Sequence, residues 1–530
     1  MCIKRVIVQN FKGLRHTDIE FSEGTNIIVG DNETGKSTVL EAINLALTKQ
    51  LNRRDAGYEL HPFLFNQAAV SEFIGRIKAD ETVEPLSISI EVYLRDEDRF
   101  AHHSGTNNSR GENCPGVTLK IALDDRYSKA YAEYIQDHER LSMIPVEYYH
   151  IDWRDFSDDV LTPRTTPTRP ALIDPSSLTT GFTANRYVVE LARDFLSDSQ
   201  QVDLALSYRK MREVFQNDDS VAAINKELAD TGGVVSDREL SVALDMTARS
   251  GWESSVTPHL DQLPLSLVGK GEQTSVKIKL ALEAHEKCEV LLIEEPENHQ
   301  SHSNLNRLIR HLADRSKDKQ LIITTHSSFV LNKLGADATI MFDGKSGIRL
   351  SALPASTRDY FMKLPGHDTL RMVLARRSIL VEGPSDELVV QKAYIQKHGT
   401  MPLDDGVEVI SVSGLAFKRF LDIARLLALD VCVATDNDGI PENVNAKYAD
   451  YADCETITIC YSDDESLKTL EPHLIAVNGR EQLNNILSKE YQDDDALLTH
   501  MTGNKAETAL KIFETDQQVQ VPKYIADAIR

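Results

Sequence analysis

Short runs of apolar residues alternate with longer amphipathic stretches along this chain, and this alternation is typical of an α/β protein. The apolar runs at 3–8 and 26–30 predict strands, and the stretch 37–47 predicts a helix. Apolar side chains also fill most of 289–293 and 321–325, as in parallel strands that are covered on both faces. The N-terminal part of the chain is therefore predicted to be built on such a sheet.

The pattern starts again near residue 371. From there strands and helices are predicted in alternation, at 378–381, 385–396, 407–412, 417–429 and 431–435. Because each of these strands is followed by a helix, we expect a second, Rossmann-like parallel sheet.

A stretch of different character lies between the N-terminal strand groups. Residues 161–170 are rich in proline and threonine, which predicts an exposed loop. Residues 187–215 are predicted to form one helix. Its apolar stripe consists of Val188, Leu191, Ala192, Phe195 and Leu196. The stripe is compatible with ordinary core packing or with an inserted dimerisation element, and no long heptad repeat is present.

Composition limits the class of protein. The 530 residues suffice for two or three domains, and the 41% hydrophobic and 26% charged fractions are ordinary for a globular protein. No run of about 18 apolar residues predicts a membrane span, and the start of the chain is too polar for a signal peptide. The six cysteines include no C-x-x-C pair, so we expect a reduced cytoplasmic protein without disulfides or a zinc site.

The most specific motif is Gly30-Asp31-Asn32-Glu33-Thr34-Gly35-Lys36-Ser37, a full match to the G-x-x-x-x-G-K-[ST] nucleotide-binding loop. A predicted strand precedes it and a predicted helix follows it, and backbone N–H groups cradle phosphate in such a setting. The residues expected to bind ATP here are Asn32, Gly35, Lys36, Ser37 and Thr38. Lys36 would reach the β- and γ-phosphates, and Ser37 would ligate Mg²⁺.

Two further strand ends carry groups that suit ATP hydrolysis. The run 289–293 ends in Glu294 and Glu295, and ligands of open α/β sheets bind at the carboxyl ends of strands. Glu294 is expected to hold the Mg²⁺ shell, and Glu295 to orient or deprotonate the attacking water. The run 321–325 ends at His326, which is placed to sense the γ-phosphate, although a lone histidine is more often structural.

A Gly-x-Gly-x-Gln turn, made by Gly269, Gly271 and Gln273, precedes a helix predicted at 275–286. It resembles the signature loop of ABC-type ATPases, and the four motifs occur in the order of the SMC/RecF-like branch of that family. The resemblance implies a homodimer, because the signature loop of one subunit closes over nucleotide bound to the other. The chain departs from the family's commonest form in its Glu-Glu pair, which leaves indirect metal ligation by Glu294 as an alternative, and in its degenerate signature.

The second half carries acids at two strand ends. Glu382 follows the strand at 378–381, with Asp386 four residues later, and Asp436 and Asp438 follow the strand at 431–435. Two divalent cations held by carboxylates can clamp the oxygens of an in-line phosphoryl displacement. We expect Glu382 and Asp386 to share one metal ion, and Asp436, Asp438 and a further acid to hold another. The ordered pair of motifs resembles the Toprim domain of topoisomerases, primases and certain nucleases.

The further acid is assigned to Glu471 rather than to the cluster at 463–465, which is predicted to be a solvated loop. Lys505 is expected to stabilise charge on the phosphate in the transition state. A lysine that merely begins a helix would look the same in the sequence.

An SMC-like ATPase followed by a C-terminal Toprim domain resembles the OLD (overcoming lysogenization defect) nucleases, a family that includes the ATPase-nuclease subunit of the Gabija antiphage system. The resemblance is carried by Glu382, Asp386, Asp436, Asp438, Glu471 and Lys505, together with the ending 521–525. It implies ATP and Mg²⁺ or Mn²⁺ as cofactors, and cleavage of DNA that is gated by the ATPase, in antiphage defence. A helicase, or a reverse transcriptase with its DNA product, remains open as a partner.

The predicted fold is thus an α/β protein with an ABC-type (SMC/RecF-like) ATPase and a Rossmann-like Toprim domain. The ATPase is predicted to occupy 1–160 and 246–350, with a helical insertion at 161–245, and the Toprim domain 371–530.

The net charge of −24 argues against tight non-specific binding of DNA, since nucleic-acid binders are usually basic where they bind. The candidates for a local basic groove are Arg371, Arg376, Arg377, Lys418, Arg419 and Arg425. A topoisomerase would need a nucleophilic tyrosine on a separate DNA-binding domain, which the sequence does not show. A non-catalytic, ATP-gated DNA clamp and a Toprim nuclease acting on RNA remain as alternatives.

Overall fold

The computed structural model describes residues 2–30, 34–52, 54–136, 141–174, 188–189, 193, 196–230, 240–244, 251–284, 288–315, 318–327, 330, 334, 336–363, 367–412 and 417–530. Contacts between residues divide the chain into two compact units. The first comprises 1–26 and 37–325, and the second comprises 27–36 and 326–530. Gly30, Gly35 and Lys36 of the nucleotide-binding loop therefore fall in the same unit as the C-terminal half, whereas Ser37 falls in the first unit.

The strands of the described residues are, in chain order, β1 Ile3–Phe11, β2 Leu14–Glu20, β3 Thr25–Val29, β4 Gln50–Leu51, β5 Arg54–Asp55, β6 Ile88–Leu94, β7 Ser104–Gly105, β8 Cys114–Leu123, β9 Tyr149–Asp155, β10 Ala171–Ile173, β11 His259–Leu260, β12 Leu263–Pro264, β13 Val290–Glu294, β14 Gln320–Thr324, β15 Thr339–Phe342, β16 Gly347–Arg349, β17 Arg377–Val381, β18 Val407–Ser411, β19 Val431–Ala434 and β20 Ile457–Cys460.

The α-helices of the same residues are α1 Lys36–Thr48, α2 Gln67–Lys78, α3 Ser128–Ile135, α4 Asp198–Gln216, α5 Asp219–Asp230, α6 Lys270–Ala284, α7 His302–Arg315, α8 Ala355–Lys363, α9 His367–Leu374, α10 Pro384–His398, α11 Phe417–Leu427, α12 Pro441–Tyr448, α13 Leu470–Asn478, α14 Arg480–Leu487, α15 Asp494–Gly503, α16 Lys505–Glu514 and α17 Lys523–Ala528.

An antiparallel sheet forms one layer of the first unit. Its strand order is β2-β1-β6-β8-β7, and β9 pairs with β8 as well. The indole N–H of Trp153 in β9 donates a hydrogen bond to the carbonyl oxygen of Ala46 in α1, at 2.7 Å. The sheet is thereby fixed against the helix that follows the nucleotide-binding loop.

Parallel strands form a second layer of this unit, with β13 between β10 and β14. The apolar residues of β13, 290–293, are fully buried, as the continuous apolar run predicts. Because β10 lies at Ala171–Ile173, part of the stretch that the sequence assigns to an insertion contributes to this layer.

Two predicted helices begin at other residues than the sequence suggests. Helix α6 begins at Lys270 instead of 275, so Gly271 and Gln273 lie inside its first turns. The helix predicted at 187–215 is interrupted before α4, because the side chain of Ser197 caps a new helix through a capping box with Gln200. Of the predicted stripe, Leu191, Ala192 and Phe195 lie outside the described residues.

In the second unit, β15 pairs with β3 in parallel and with β16 antiparallel. The C-terminal sheet has the order β18-β17-β19-β20, and every neighbouring pair is parallel. The strands β17, β18 and β19 and the helices α10 and α11 lie within a few residues of the predicted elements, which confirms the alternation. The sequence did not predict β20.

One hydrophobic cluster connects these two groups of strands within the second unit. It contains Ile27 and Val29 of β3, Met341 of β15, and Leu380 of β17. Leu353, from the stretch between the predicted ATPase and Toprim domains, is buried in the same cluster. That stretch therefore contributes to a core and is not a free linker.

Among the described residues, no helix combines the length and the apolar character that crossing a bilayer requires.

We expect Leu353→Ala to lower the free energy of unfolding by about 2–5 kcal/mol, the usual cost of emptying a buried leucine site. The side chain of Leu353 is 5% exposed, and the matched control Leu510→Ala alters a leucine that is 44% exposed. Urea unfolding of both variants measures the difference. Equal stability would show that residues 351–370 behave as a tolerant linker.

Candidate functional site

The carboxylates of the C-terminal half gather at one edge of its parallel sheet. β17 and β19 are neighbours, with Val381 paired to Ala434, so the residues that follow these strands emerge side by side. Glu382 follows β17, and Asp436 follows β19 after one intervening threonine. This is the edge at which open α/β sheets bind their ligands.

Hydrogen bonds fix the first two acids. The Oε1 atom of Glu382 accepts from the hydroxyl of Thr435 at 2.6 Å and from the backbone N–H of Asp436 at 3.1 Å. Asp386 lies in the first turn of α10, where its Oδ2 accepts from the backbone N–H of Gly383 at 3.0 Å. Both carboxylates are therefore held by the chain segments that form the sheet edge.

Glu471 and Lys505 meet at the same place. Glu471 lies in the first turn of α13 and is 3% exposed. Its Oε1 is 3.2 Å from the Nζ atom of Lys505, and its Oε2 accepts from the hydroxyl of Thr469 at 2.9 Å. Lys505 is the first residue of α16, so a lysine at a helix start also serves as the partner of a buried acid.

Burial and the neighbouring acids raise the pKa of two of these carboxyl groups. Burial raises the pKa of Asp436 to about 8, the charges of Glu382, Asp386 and Glu471 add to this, and Lys505 opposes it. Burial also raises the pKa of Asp386 to about 6, with a contribution from Glu382 that the backbone N–H of Gly383 partly offsets. For Lys505, burial lowers the pKa, but Glu471, Asp436 and Asp386 together leave it raised.

Asp438 differs from the other predicted ligands. It is exposed and has a left-handed backbone conformation with φ of +50°, whereas Glu382, Asp386, Asp436 and Glu471 are all at least partly buried. The buried side chain of Asn437 shapes this turn: it donates to the carbonyl oxygens of Ser462 and Asp464, both at 2.8 Å. The loop around Asp464 is exposed, as the sequence predicts.

The donor set suits a hard divalent cation in kind and number. Carboxylate oxygens are the preferred ligands of Mg²⁺, and Lys505 can offset the charge of only one of these four acids. Within the described ranges, however, no group of three or more His, Cys, Asp or Glu side chains is already arranged to hold a metal ion. The acids are close enough to repel one another, and side-chain rotation must bring their oxygens together.

Two residues near the cluster were not among the site residues predicted from the sequence. Tyr524 of α17 is 5% exposed, and burial together with the charges of Asp436 and Asp386 raises its pKa well above the ordinary value. Its ring meets that of His473 edge to face, with centroids 5.5 Å apart. The sequence offered only the family-like ending 521–525 as a signal for Tyr524, and none for His473.

Gly30 and Gly35, the two glycines of the nucleotide-binding motif, both lie among the described residues and have a structural reason to be glycine. A Cβ atom on Gly30 would lie 2.3 Å from the carbonyl oxygen of Phe342, so only glycine fits there. Gly35 has φ of +90°, and Lys36 is buried with its Nζ atom 3.0 Å from the carbonyl oxygen of Gly30. Asn32 lies outside the described residues.

In the first unit, Ser37 and Thr38 lie in the first turn of α1, and the Ser37 hydroxyl makes a hydrogen bond with the side chain of Glu294. Burial raises the pKa of Glu294, the bond from Ser37 lowers it, and the charge of Asp174 raises it further. Asp174 follows β10, next to β13, and no motif pointed to it. The serine and the acid that were both expected to serve Mg²⁺ are thus brought together.

Glu295 has a left-handed backbone with φ of +36°, and its Oε2 atom accepts from the side-chain amide of Asn298 at 2.7 Å. In the second unit, the side chain of His326 is half-buried. His326 comes two residues after the last residue of β14 in the sequence. Its expected role at the γ-phosphate stays a prediction.

The signature residues contact the segment that follows Glu295. A Cβ atom on Gly271 would lie 2.3 Å from the carbonyl oxygen of His299, and the side-chain amide of Gln300 donates to the carbonyl oxygen of Gly271 at 2.8 Å. Gly269 lies just before α6, and Gln273 donates from its side chain to the carbonyl oxygen of Val268 at 2.7 Å. Gly271 is therefore required by packing within the chain.

Several of the candidate basic residues already have acidic partners. Arg371 pairs with Glu408 at 2.7 Å, and Lys418 lies 3.6 Å from Asp450. Arg377 lies 3.7 Å from Asp430. These side chains neutralise acids of the fold itself, so they do not form an open basic groove.

Repulsion within the acidic cluster has a measurable consequence. Because the pKa of Asp436 is raised to about 8, the metal-free protein loses stability as pH rises from about 4 to about 8. We expect Asp436→Asn to raise the melting temperature in EDTA at pH 8, and the gain to shrink toward pH 5.

The matched control is Asp438→Asn, which alters an exposed carboxylate two residues away. Thermal unfolding in EDTA at several pH values compares the two variants. An equal effect of both variants, or no effect of Asp436→Asn, would contradict the raised pKa of Asp436.

Comparisons with known proteins place these segments in families. A family model described as an AAA domain matches residues 5–144, and one described as an AAA ATPase domain matches 183–331. The family model "Overcoming lysogenization defect protein-like, TOPRIM domain" matches 373–438, which includes Glu382, Asp386 and Asp436.

Among curated proteins, endonuclease GajA of Bacillus cereus (strain VD045) is 22% identical over 460 residues, which cover 83% of this chain and 75% of the relative. The DNA replication and repair protein RecF of Clostridium botulinum (strain Eklund 17B / Type B) is 29% identical over 84 residues, which cover only 16% of this chain and 23% of RecF.

Among solved structures, an Smc head bound to the C-terminal winged-helix domain of ScpA covers 65% of this chain and 97% of its own, with 15% identity and a TM-score of 0.36. A RecF structure with bound nucleotide covers 65% of this chain and 97% of its own, with 12% identity and a TM-score of 0.34.

The family models and the curated relative agree with the order of motifs along the sequence. This α/β chain carries an AAA-type ATPase followed by an OLD-like TOPRIM domain, and it resembles the OLD-type ATPase-nucleases.

Proposed function

We propose that this protein is an ATP-gated DNA endonuclease that depends on Mg²⁺ or Mn²⁺ and acts in antiphage defence. One observation carries the proposal: Glu382, Asp386, Asp436 and Glu471 gather with Lys505 at the carboxyl edge of a parallel sheet. Structural acids at a protein surface do not need mutual burial, whereas phosphodiester hydrolysis by bound cations does need such a set of ligands.

The residues present fit the cations that this chemistry uses. When bound, the divalent ions activate a water molecule and stabilise the charge on the phosphate that is displaced. Glu382 and Asp386 would hold one ion, and Asp436 and Glu471 the other, with Asp438 reaching the second from its exposed turn. Lys505 is 48% exposed, so it can turn from Glu471 toward a substrate phosphate and stabilise the charge that develops there.

The ATPase is proposed to gate this site. Lys36, Ser37 and Thr38, with Gly35 and Asn32, would bind the phosphates of ATP, and Glu294 would serve Mg²⁺ through its contact with Ser37. Glu295 would orient the attacking water and His326 would sense the γ-phosphate. Gly269, Gly271 and Gln273 would act on nucleotide bound to a second subunit.

Nuclease activity is supported by the relative named an endonuclease, and DNA as the substrate by the relative named a DNA replication and repair protein. A role in phage defence, a cytoplasmic location and a helicase or reverse-transcriptase partner belong to the same proposal. The location rests on the composition of the chain, and the defence role and the partners rest on the resemblance to the OLD nucleases.

Supercoiled plasmid incubated with the purified protein and Mg²⁺ or Mn²⁺, with and without ATP, tests the nuclease. We expect nicked or linear product from the wild type, and a loss of at least about 100-fold in Glu382→Gln, because a metal ligand is removed while its shape is kept. Asp463→Asn, in the exposed loop, is the matched control and should cut normally.

Comparison of plasmid cleavage with and without ATP, repeated with Lys36→Ala, shows whether ATP activates or inhibits cleavage. Binding of DNA without cleavage in every lane would favour the non-catalytic clamp. Cleavage of RNA but not DNA under the same conditions would identify the other alternative. Equal cutting by wild type and Glu382→Gln would contradict the assigned site.

The helical insertion offers a surface for self-association. Leu204, Met211 and Phe215 lie on one face of α4, spaced by seven and four residues, and all three are exposed. An exposed apolar stripe of this kind marks an interaction site. We assign it to the homodimer that an ABC-type ATPase requires.

If this stripe forms the dimer, the double change Met211→Asp and Phe215→Asp will shift the protein from dimer or larger oligomer to monomer. Light scattering coupled to size-exclusion chromatography measures the mass. Tyr58→Asp, at a side chain that is 88% exposed in the first unit, is the control and should leave the mass unchanged. An unchanged mass in the double variant would place the dimer interface elsewhere.

A further inference from the structure

Thr435 occupies the one position between β19 and the acid at its end. Its side chain is buried, with the residue 4% exposed, and its backbone N–H donates to the carbonyl oxygen of Cys460 at 3.1 Å. The backbone of Thr435 thus continues the pairing of β19 with β20. A residue with any side chain of similar size would satisfy this structural role.

The hydroxyl of Thr435 makes its short hydrogen bond with Glu382. It donates to Oε1 at 2.6 Å, whereas its distance to the carbonyl oxygen of Asp436 is 3.4 Å. The backbone N–H of Asp436 reaches the same Oε1 at 3.1 Å. Two donors therefore hold one oxygen of Glu382, and the second oxygen is left for another ligand.

This anchor acts against a repulsive force. Glu382 is among the charges that raise the pKa of both Asp386 and Asp436, so the same repulsion pushes its own carboxylate away from the cluster. A glutamate has three rotatable side-chain bonds and could turn into solvent. Charge-assisted hydrogen bonds to a buried hydroxyl and a backbone N–H oppose that rotation.

Tyr448 closes the other side of this contact. The tyrosine is 4% exposed, burial raises its pKa, and the charge of Glu382 raises it further. The phenol of Tyr448 lies beside the hydroxyl of Thr435, on a side of the contact that is buried. The bond from Thr435 to Glu382 is therefore sheltered.

We propose that Thr435 is a positioning residue of the candidate nuclease site, whose hydroxyl fixes Oε1 of Glu382 so that Oε2 is presented to a divalent cation. The inference rests on the proposed function only in taking Glu382 as a metal ligand. Thr435 is not one of the motif acids. Its hydroxyl, rather than the bulk of its side chain, holds the carboxylate of Glu382 in place.

The test is direct binding of Mn²⁺ to the nucleotide-free protein, followed by the electron paramagnetic resonance signal of free Mn²⁺. Glu382→Ala sets the baseline without this ligand. We expect Thr435→Val to weaken the Glu382-dependent binding by about tenfold or more, as loss of a ligand's hydrogen-bond partner usually does. Thr435→Ser keeps the hydroxyl and should restore binding to within about threefold of the wild type.

Thr508→Val is the matched control for replacing a buried threonine. Thr508 is 3% exposed, and its hydroxyl has no hydrogen-bond partner among the described residues. We expect it to bind Mn²⁺ as the wild type does. Melting temperatures of the variants show that each is folded.

Three outcomes would overturn the inference. Equal Mn²⁺ affinity of Thr435→Val and the wild type contradicts it, because loss of a hydroxyl that positions Glu382 must weaken binding. A serine variant as weak as the valine variant assigns the effect to side-chain bulk. No difference between wild type and Glu382→Ala removes the metal site itself.

The plasmid assay separates this inference from the proposed function. Glu382-dependent Mn²⁺ binding that is weakened in Thr435→Val and restored in Thr435→Ser, with no cleavage of any nucleic acid, would uphold the positioning role and reject the nuclease.

Discussion

Mutual repulsion among four carboxylates at one sheet edge is the constraint on which the candidate site depends. Burial and neighbouring charges raise the pKa of Asp436 and Asp386, so the cluster carries an energetic cost when no cation is bound. The surrounding chain offsets that cost locally, through Thr435 on Glu382, the Gly383 backbone on Asp386, and Lys505 on Glu471. A cation bound at the proposed site would lower this cost and so stabilise the folded protein.

Much of this arrangement follows from local sequence. A buried parallel strand is a continuous apolar run, and an acid directly after it must emerge at the ligand-binding edge. Glu382, Asp436 and Glu294 were predicted at such strand ends for this reason. The structure also brings Ser37 to Glu294, as the loop motif predicts. The helices that follow the strands were found from periodicity for the same reason.

Other features depend on contacts between residues distant in sequence, which periodicity does not reveal. The ion pair of Glu471 with Lys505 joins two helices 34 positions apart, and the position of Asp174 beside Glu294 depends on which strands are neighbours. A single side chain can also end a predicted element. The apolar pattern predicts one helix over 187–215, but Ser197 caps a new helix that begins at Asp198. Asp438 looked equivalent to Asp436, but the turn held by Asn437 leaves it exposed.

The shared hydrophobic cluster of the second unit bears on how such a protein can evolve. Ile27 and Val29 lead directly into the glycine loop, and their side chains are buried in the same core as Leu380, which leads into Glu382. The strands that lead into the glycine loop and into Glu382 thus share one hydrophobic core. Separation of these strands would leave each of them without part of its packing partners. A TOPRIM domain exchanged without β3 and β15 would therefore lack part of its hydrophobic core.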